Sequence, residues 1–82
     1  MEINRLAWGC RRGMLELDLV LEPFLANVYP GLPQADKELF WALLECEDQD
    51  LFGWFMNHRD PEDEETLKIV QIIRDNTGLR VD

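Results

Sequence analysis

The sequence predicts an all-α fold: a small single-domain bundle of five short helices. Three observations lead there. Apolar residues recur at three- and four-residue spacing in segment after segment. No stretch alternates strictly between apolar and polar, and no Asn-Gly or Asp-Gly pair marks a hairpin. Proline, glycine and acidic residues fall between the apolar segments, where helices start and stop. With 82 residues, 46% of them hydrophobic and including three Trp and four Phe, residues 1–82 make one domain with one core. A chain of this size buries only a little over about 60% of its unfolded surface, which argues against a large internal substrate cavity.

The first helix is predicted over Ile3 to Arg12, with Ile3, Leu6, Ala7 and Cys10 on its buried face. Trp8 lies off that stripe, where core or half-buried packing against a neighbouring helix is the default and an exposed contact the alternative. Gly9 is a weak point, at about 1 kcal/mol against Ala inside a helix. The second helix is predicted over Met14 to Tyr29, burying Leu17, Val20, Leu21, Phe24, Leu25 and Val28. Pro23 interrupts it and predicts a kink, and Pro30-Gly31 stops it. The third is predicted to start near Gln34, bury Leu39, Phe40, Leu43 and Leu44, and end near Cys46 or Glu47. The fourth covers Gln49 to Asn57 behind Asp48 as N-cap, with Leu51, Phe52, Phe55 and Met56 packed inside and Trp54 joining or bordering that cluster. The fifth begins with Asp60 as N-cap and Pro61 in first position, followed by Glu62, Asp63 and Glu64 in a favourable first turn. It packs through Leu67, Ile69, Val70, Ile72 and Ile73, and Gly78 caps its end.

Composition excludes whole classes of function. The net charge is −9, from 8 Lys and Arg against 17 Asp and Glu. Nucleic-acid binders replace phosphate counterions with cations, and an anionic membrane surface attracts cations too, so neither is a partner here. No apolar run approaches the roughly 20 residues of a membrane span, and no secretory leader is visible. Two cysteines, Cys10 and Cys46, lie in apolar helical contexts and read as reduced, buried thiols in a cytoplasmic protein. The charge is uneven. Residues 45–50 and 60–65 are acidic without a single base, whereas Arg5, Arg11 and Arg12 dominate residues 1–13. A small basic patch on an acidic body orients a partner.

Residues with catalytic or ligand chemistry are sparse. His58 is the only histidine and sits beside Arg59 just after a helix, as a surface or capping residue. One His and two distant Cys do not make a zinc site, and the acidic runs lack calcium-loop spacing. No glycine-rich phosphate loop is present. Arginine does not titrate usefully, and nothing marks Glu16 or Asp18 as a tuned base, so the chain reads as a non-enzyme.

The stretch that remains is Cys10-Arg11-Arg12-Gly13-Met14-Leu15-Glu16-Leu17-Asp18. Gly13 can take a positive φ and turn the chain between two helices. Arg11 and Arg12 suit the C-terminal end of the first helix, and Glu16 suits the start of the next. Arg12 can fork onto a partner's carboxylate or carbonyl, Gly13 lets a partner's backbone approach, and Glu16 accepts. In a simpler account Arg12 and Glu16 pair with each other at the surface.

Arg12-Gly13-x-x-Glu16 with Leu17-Asp18 resembles the signature of the bacterial succinate dehydrogenase flavinylation factors of the SdhE type. Leu43-Leu44-Glu45-Cys46, then Asp48-x-Asp50-Leu51-Phe52-x-Trp54, then Met56-Asn57-His58, fit the same family in one register. The resemblance implies a five-helix assembly factor that binds the flavoprotein subunit of succinate dehydrogenase, and of fumarate reductase where present. It promotes covalent attachment of FAD to a histidine of that subunit. FAD then belongs to the partner, and no cofactor is held stably by this chain. By motif, Arg12, Gly13 and Glu16 are partner-binding residues, with Trp8, Arg11 and Asp18 as neighbours on that surface. Asp48, Asp50 and Trp54 look structural, as cap and core. Gly9 departs from the helix-favouring residue expected there. A monomer is expected when free. Two other readings stand beside this one: an acidic adaptor or antitoxin-like module with a different partner, and an enzyme subunit using Glu16 and Arg12 on a small molecule. A concave pocket around Glu16 would favour the enzyme, and a flat or convex surface would favour partner binding.

Overall fold

Each helix stops where its backbone finds better partners outside the helix. The computed structural model describes residues 3–76, with side chains from Arg5 onward. Five helices follow in order: α1 (Ile3–Cys10), α2 (Leu15–Asn27), α3 (Gln34–Leu43), α4 (Asp48–Phe55) and α5 (Glu64–Asn76). A 3₁₀ turn, Tyr29–Gly31, lies between α2 and α3. No strand occurs among the described residues. The expected cap at Gly78 falls outside them.

α2 is the hub. It packs against α1, α4 and α5, while α3 closes the bundle by packing on α5. Its buried side chains are Leu17, Val20, Leu21, Phe24 and Leu25, the stripe that the spacing predicts. Phe40 from α3 meets Phe24 and Tyr29 at ring separations of 5.3 and 5.4 Å. Trp41 donates its indole N–H to the Tyr29 hydroxyl at 2.7 Å, so the half-buried ring keeps a polar partner. Leu51, Trp54 and Phe55 from α4 and Ile69, Val70 and Ile73 from α5 complete the core. Across the α3–α5 contact, Lys68 Nζ reaches the buried Asp36 carboxylate at 2.9 Å.

Helix ends are where the sequence misleads. The first helix reaches only Cys10, not Arg12. The Arg11 amide donates to the Trp8 carbonyl, three residues back, and the Arg12 amide donates to Asp18 instead. α3 ends at Leu43, short of Cys46, in a turn whose amides bond three residues back. Asp48 is not an N-cap. It is the first residue of α4, with Glu47 in the capping position and no side-chain cap bond. α4 ends two residues before the expected Asn57 because Asn57 takes φ +60°. The His58 amide then bonds the Gly53 carbonyl and the Asn57 amide bonds the Trp54 carbonyl, a Schellman termination.

α5 starts at Glu64, later than Pro61, because Asp63 and not Asp60 is its cap. The Asp63 carboxylate accepts from the Thr66 amide at 2.9 Å and from the Thr66 hydroxyl at 3.0 Å. Asp60 is drawn instead to Arg74, which also donates to the carbonyls of Trp54 and Arg59. One guanidinium thereby holds the whole α4–α5 loop. α2 runs from Leu15 to Asn27 straight through Pro23, and the segment expected to extend it to Tyr29 tightens into the 3₁₀ turn.

Several burial expectations are also overturned. Trp8 stands 74% exposed, Ala7 is exposed, and Cys46, Val28, Leu39, Leu44, Phe52, Met56, Leu67 and Ile72 are only half-buried. Gly9 lies at a close contact. A Cβ there would lie 3.1 Å from Leu44 Cδ1, so its absence lets α1 sit closely on the end of α3.

Two outcomes follow from this packing. Phe40→Ala should cost about 3–5 kcal/mol in chemical denaturation, because the ring is fully buried against two others. Asp63 is held below the usual carboxylate pKa, chiefly by the Thr66 amide. Its contribution is present above the unfolded value of about 4 and lost as pH falls through the folded value. The stability deficit of Asp63→Ala should therefore be constant near neutrality and shrink below about pH 4, as read by urea melts across pH.

Candidate functional site

The site is the corner between α1 and α2, built from Arg11 to Asp18. Gly13 has φ +79°, a conformation that costs L-residues other than Gly about 1–2 kcal/mol. A Cβ at Gly13 would meet nothing within 4 Å. A side chain there is opposed by the backbone and not by a neighbour, and it would project into open space.

Two contacts keep this turn in shape. Asp18, one turn into α2, accepts the Arg12 amide at 3.0 Å and pulls the helix start back onto the corner. The Arg12 side chain points inward. Its Nε donates to Asp48 Oδ1 at 2.7 Å and Nη2 donates to the Cys46 carbonyl at 2.6 Å. Nη1 donates to the carbonyls of Leu44 at 2.7 Å and Gly9 at 3.2 Å. Only 16% of the side chain is exposed. The same fork explains why α3 and α4 end and begin as they do: the carbonyls of Leu44 and Cys46 turn towards a charge instead of continuing a helix. Arg12 thus neither forks outward nor pairs with Glu16. The residue that it does pair with, Asp48, carries no sequence signal of that role, since the two lie 36 residues apart.

The outer surface of the corner is exposed. Glu16 stands in solvent with no hydrogen bond or ion pair to another described residue. Arg11 lies over the Trp8 ring at 5.8 Å and only 4.0 Å from Glu22, both contacts loose. The large hydrophobic side chains most open to solvent among the described residues are Trp8, Leu15 and Leu19, and all lie within six residues of Gly13. The structure therefore brings Trp8, Arg11, Gly13 and Glu16 to one outward corner and turns Arg12 and Asp18 into the struts beneath it. Sequence reasoning does not single out Leu15 and Leu19; the only signal is that Leu15 to Leu21 holds more apolar residues than one buried stripe can use.

Two open grooves flank the corner. One, of about 420 Å³, is lined by Arg5, Trp8, Gly9, Trp41, Leu44 and Glu45. The other, of about 300 Å³, lies between α1 and α2 and is lined by Ala7, Cys10, Arg11, Glu22, Leu25 and Ala26. Glu16 lines neither of these two grooves and is exposed. Burial pushes the Cys10 thiol up to about 11 and raises Cys46 as well, which leaves both poor nucleophiles. No group of three or more His, Cys, Asp or Glu among the described residues is placed to hold a metal ion.

Residues 4–77 match the family described as the flavinator of succinate dehydrogenase, Sdh5. The chain belongs to that family. It is 57% identical to the FAD assembly factor SdhE of Pseudomonas putida over 90% of this chain and 88% of that one. The protein of the same name from Shewanella oneidensis is 53% identical over 90% of each chain. That of Yersinia pestis is 45% identical over 98% of this chain and 94% of the other. The family match spans the corner and every helix packed beneath it.

Arg12→Ala is expected to lose about 2 kcal/mol or more of stability, because the Asp48 carboxylate and three carbonyls lose a charged donor together. Arg12→Lys should recover only part of the loss, since an ammonium cannot reproduce the planar fork. Urea unfolding of the three proteins checks both.

Proposed function

We propose that this chain is an assembly factor that binds the flavoprotein subunit of succinate dehydrogenase and promotes its covalent attachment of FAD. The single observation that carries the reading is the α1–α2 corner. It is an exposed positive-φ glycine, braced from below by Arg12 and Asp18, with an unpaired Glu16 and open apolar side chains around it. Family membership supplies the client.

In this reading the contacting residues are Gly13, Glu16, Arg11 and Trp8. Gly13 lets the subunit's backbone come close, Glu16 accepts from it, and Trp8 offers a large face of low entropic cost. Arg12 and Asp18 are positioning residues. Arg12 touches the partner only through the shape it imposes, because its guanidinium is already committed within the chain.

No catalytic group of this chain is needed. The bond between flavin and histidine is made by the subunit's own groups, and the factor favours the arrangement in which they meet. Raising a competent arrangement from about 1% to about half of the population takes roughly 100-fold tighter binding to that arrangement, about 2.7 kcal/mol. A few well-buried side chains can provide that. A normal interface of about 800 Å² per partner fits on α1 and α2. A cytoplasmic setting, a monomeric working form and a second client in fumarate reductase follow from the family resemblance and belong to the same proposal.

The test is in-gel flavin fluorescence of the denatured subunit, taken from cells lacking this chain. Complementation with wild type should restore covalent flavin, and Gly13→Arg and Glu16→Ala should not, although both variants purify as folded helical proteins. Full covalent flavin without the chain would overturn the proposal.

A further inference from the structure

α2 is the most apolar of the five helices and the least one-sided. Its apolar residues are therefore not confined to one stripe. The bundle covers only one side. Leu17, Val20, Leu21, Phe24 and Leu25 point into the core, while Leu15 and Leu19 stand 67% and 59% exposed. These two leucines are four residues apart and share a helix face. Pro23 and Ala26, also exposed, continue that face for two further turns. Ala26 also lines the α1–α2 groove, with Ala7, Cys10, Arg11, Glu22 and Leu25, so the leucine ridge runs on towards that groove.

We infer that the outer face of α2, through Leu15 and Leu19, is the apolar anchor of the contact with the flavoprotein subunit, a contribution that the Arg-Gly-x-x-Glu motif does not describe. This rests on the reading given above. The occupant is argued from continuity. Leu15 is two residues past Gly13 and adjoins Glu16, so a partner resting on the corner reaches the leucines without a break. Charge says what the partner presents. Glu16 and Glu22 border the face on a chain of net charge −9, so the complementary patch is apolar at its centre and basic at its rim. The interface then has two apolar supports, Trp8 on one side of the corner and the leucine pair on the other.

The experiment measures binding of the purified, unflavinylated subunit to wild type, to Leu15→Ala/Leu19→Ala and to Ala42→Lys, a control on the exposed side of α3. Light scattering on each protein alone reports self-association. Wild type and Ala42→Lys should bind alike, and the double variant should bind at least about tenfold more weakly, since burying two leucines is worth that or more. Its helical content and melting temperature should be unchanged or raised. Equal binding by the double variant would overturn this inference and leave the assembly-factor reading standing. Absence of binding by wild type would overturn both. A wild-type dimer that the double variant abolishes would assign the face to a second copy of the chain and overturn the inference in that way.

Discussion

The Arg12 guanidinium is the contact on which the geometry of the outward corner depends. Between Cys10 and Leu15 the chain has no helix to organise its backbone, and a positive-φ glycine sits in the middle. One planar cation reaches across to the turn before α4 and satisfies a carboxylate and three carbonyls at once. Arg74 does the same for the loop between α4 and α5, with the carbonyls of Trp54 and Arg59 and the carboxylate of Asp60. A domain of this size has little core to spare for fixing its loops. Two forked cations do that work instead. Both are drawn from a chain with only eight Lys and Arg, which leaves the outside more acidic still.

The second constraint is that α2 is shared. Its inner stripe organises the bundle, and its first turn forms half of the corner. Asp18 shows how closely the two roles are joined: it is part of the helix and also the acceptor that stops α1. Changes that move α2 by a fraction of an ångström would therefore be felt at Gly13. In this arrangement the residues of the signature divide by direction. Glu16 and Gly13 face out, Arg12 faces in, and the spacing that places them on one corner also places them on opposite sides of its surface.

The fold class, the number of helices and nearly all of the core were legible in the sequence, because periodic apolar residues such as Leu17, Leu21 and Phe24 have only one stable use. The positive φ at Gly13 was legible for the same reason. Helix ends were not. Asp48 and Asp60 look like caps by local chemistry, and each is captured by an arginine distant in the chain. Asp63, the residue that does cap, is of the same type as Asp60 three residues earlier, so type does not choose between them. Trp8 was misplaced because a lone tryptophan off the stripe is usually covered by something, and here the bundle leaves it open. Gly9 reads as a weak point by propensity alone, which carries no sign of the close contact with Leu44. For Asp48, Asp60 and Gly9 the deciding neighbour lies far along the chain, where periodicity carries no information.

The exposure of Trp8 has a consequence for observing the corner. The chain's other two indoles are sheltered, Trp54 in the core and Trp41 half-buried against Tyr29. Trp8 is thus the chromophore whose emission depends most on what covers the α1–α2 corner. It is a native optical reporter, in place without labelling. Covering it would shift its emission to the blue, and an oxidised isoalloxazine brought near would quench it. Distance to the flavin and dryness of the contact are therefore written into the spectrum of a single residue.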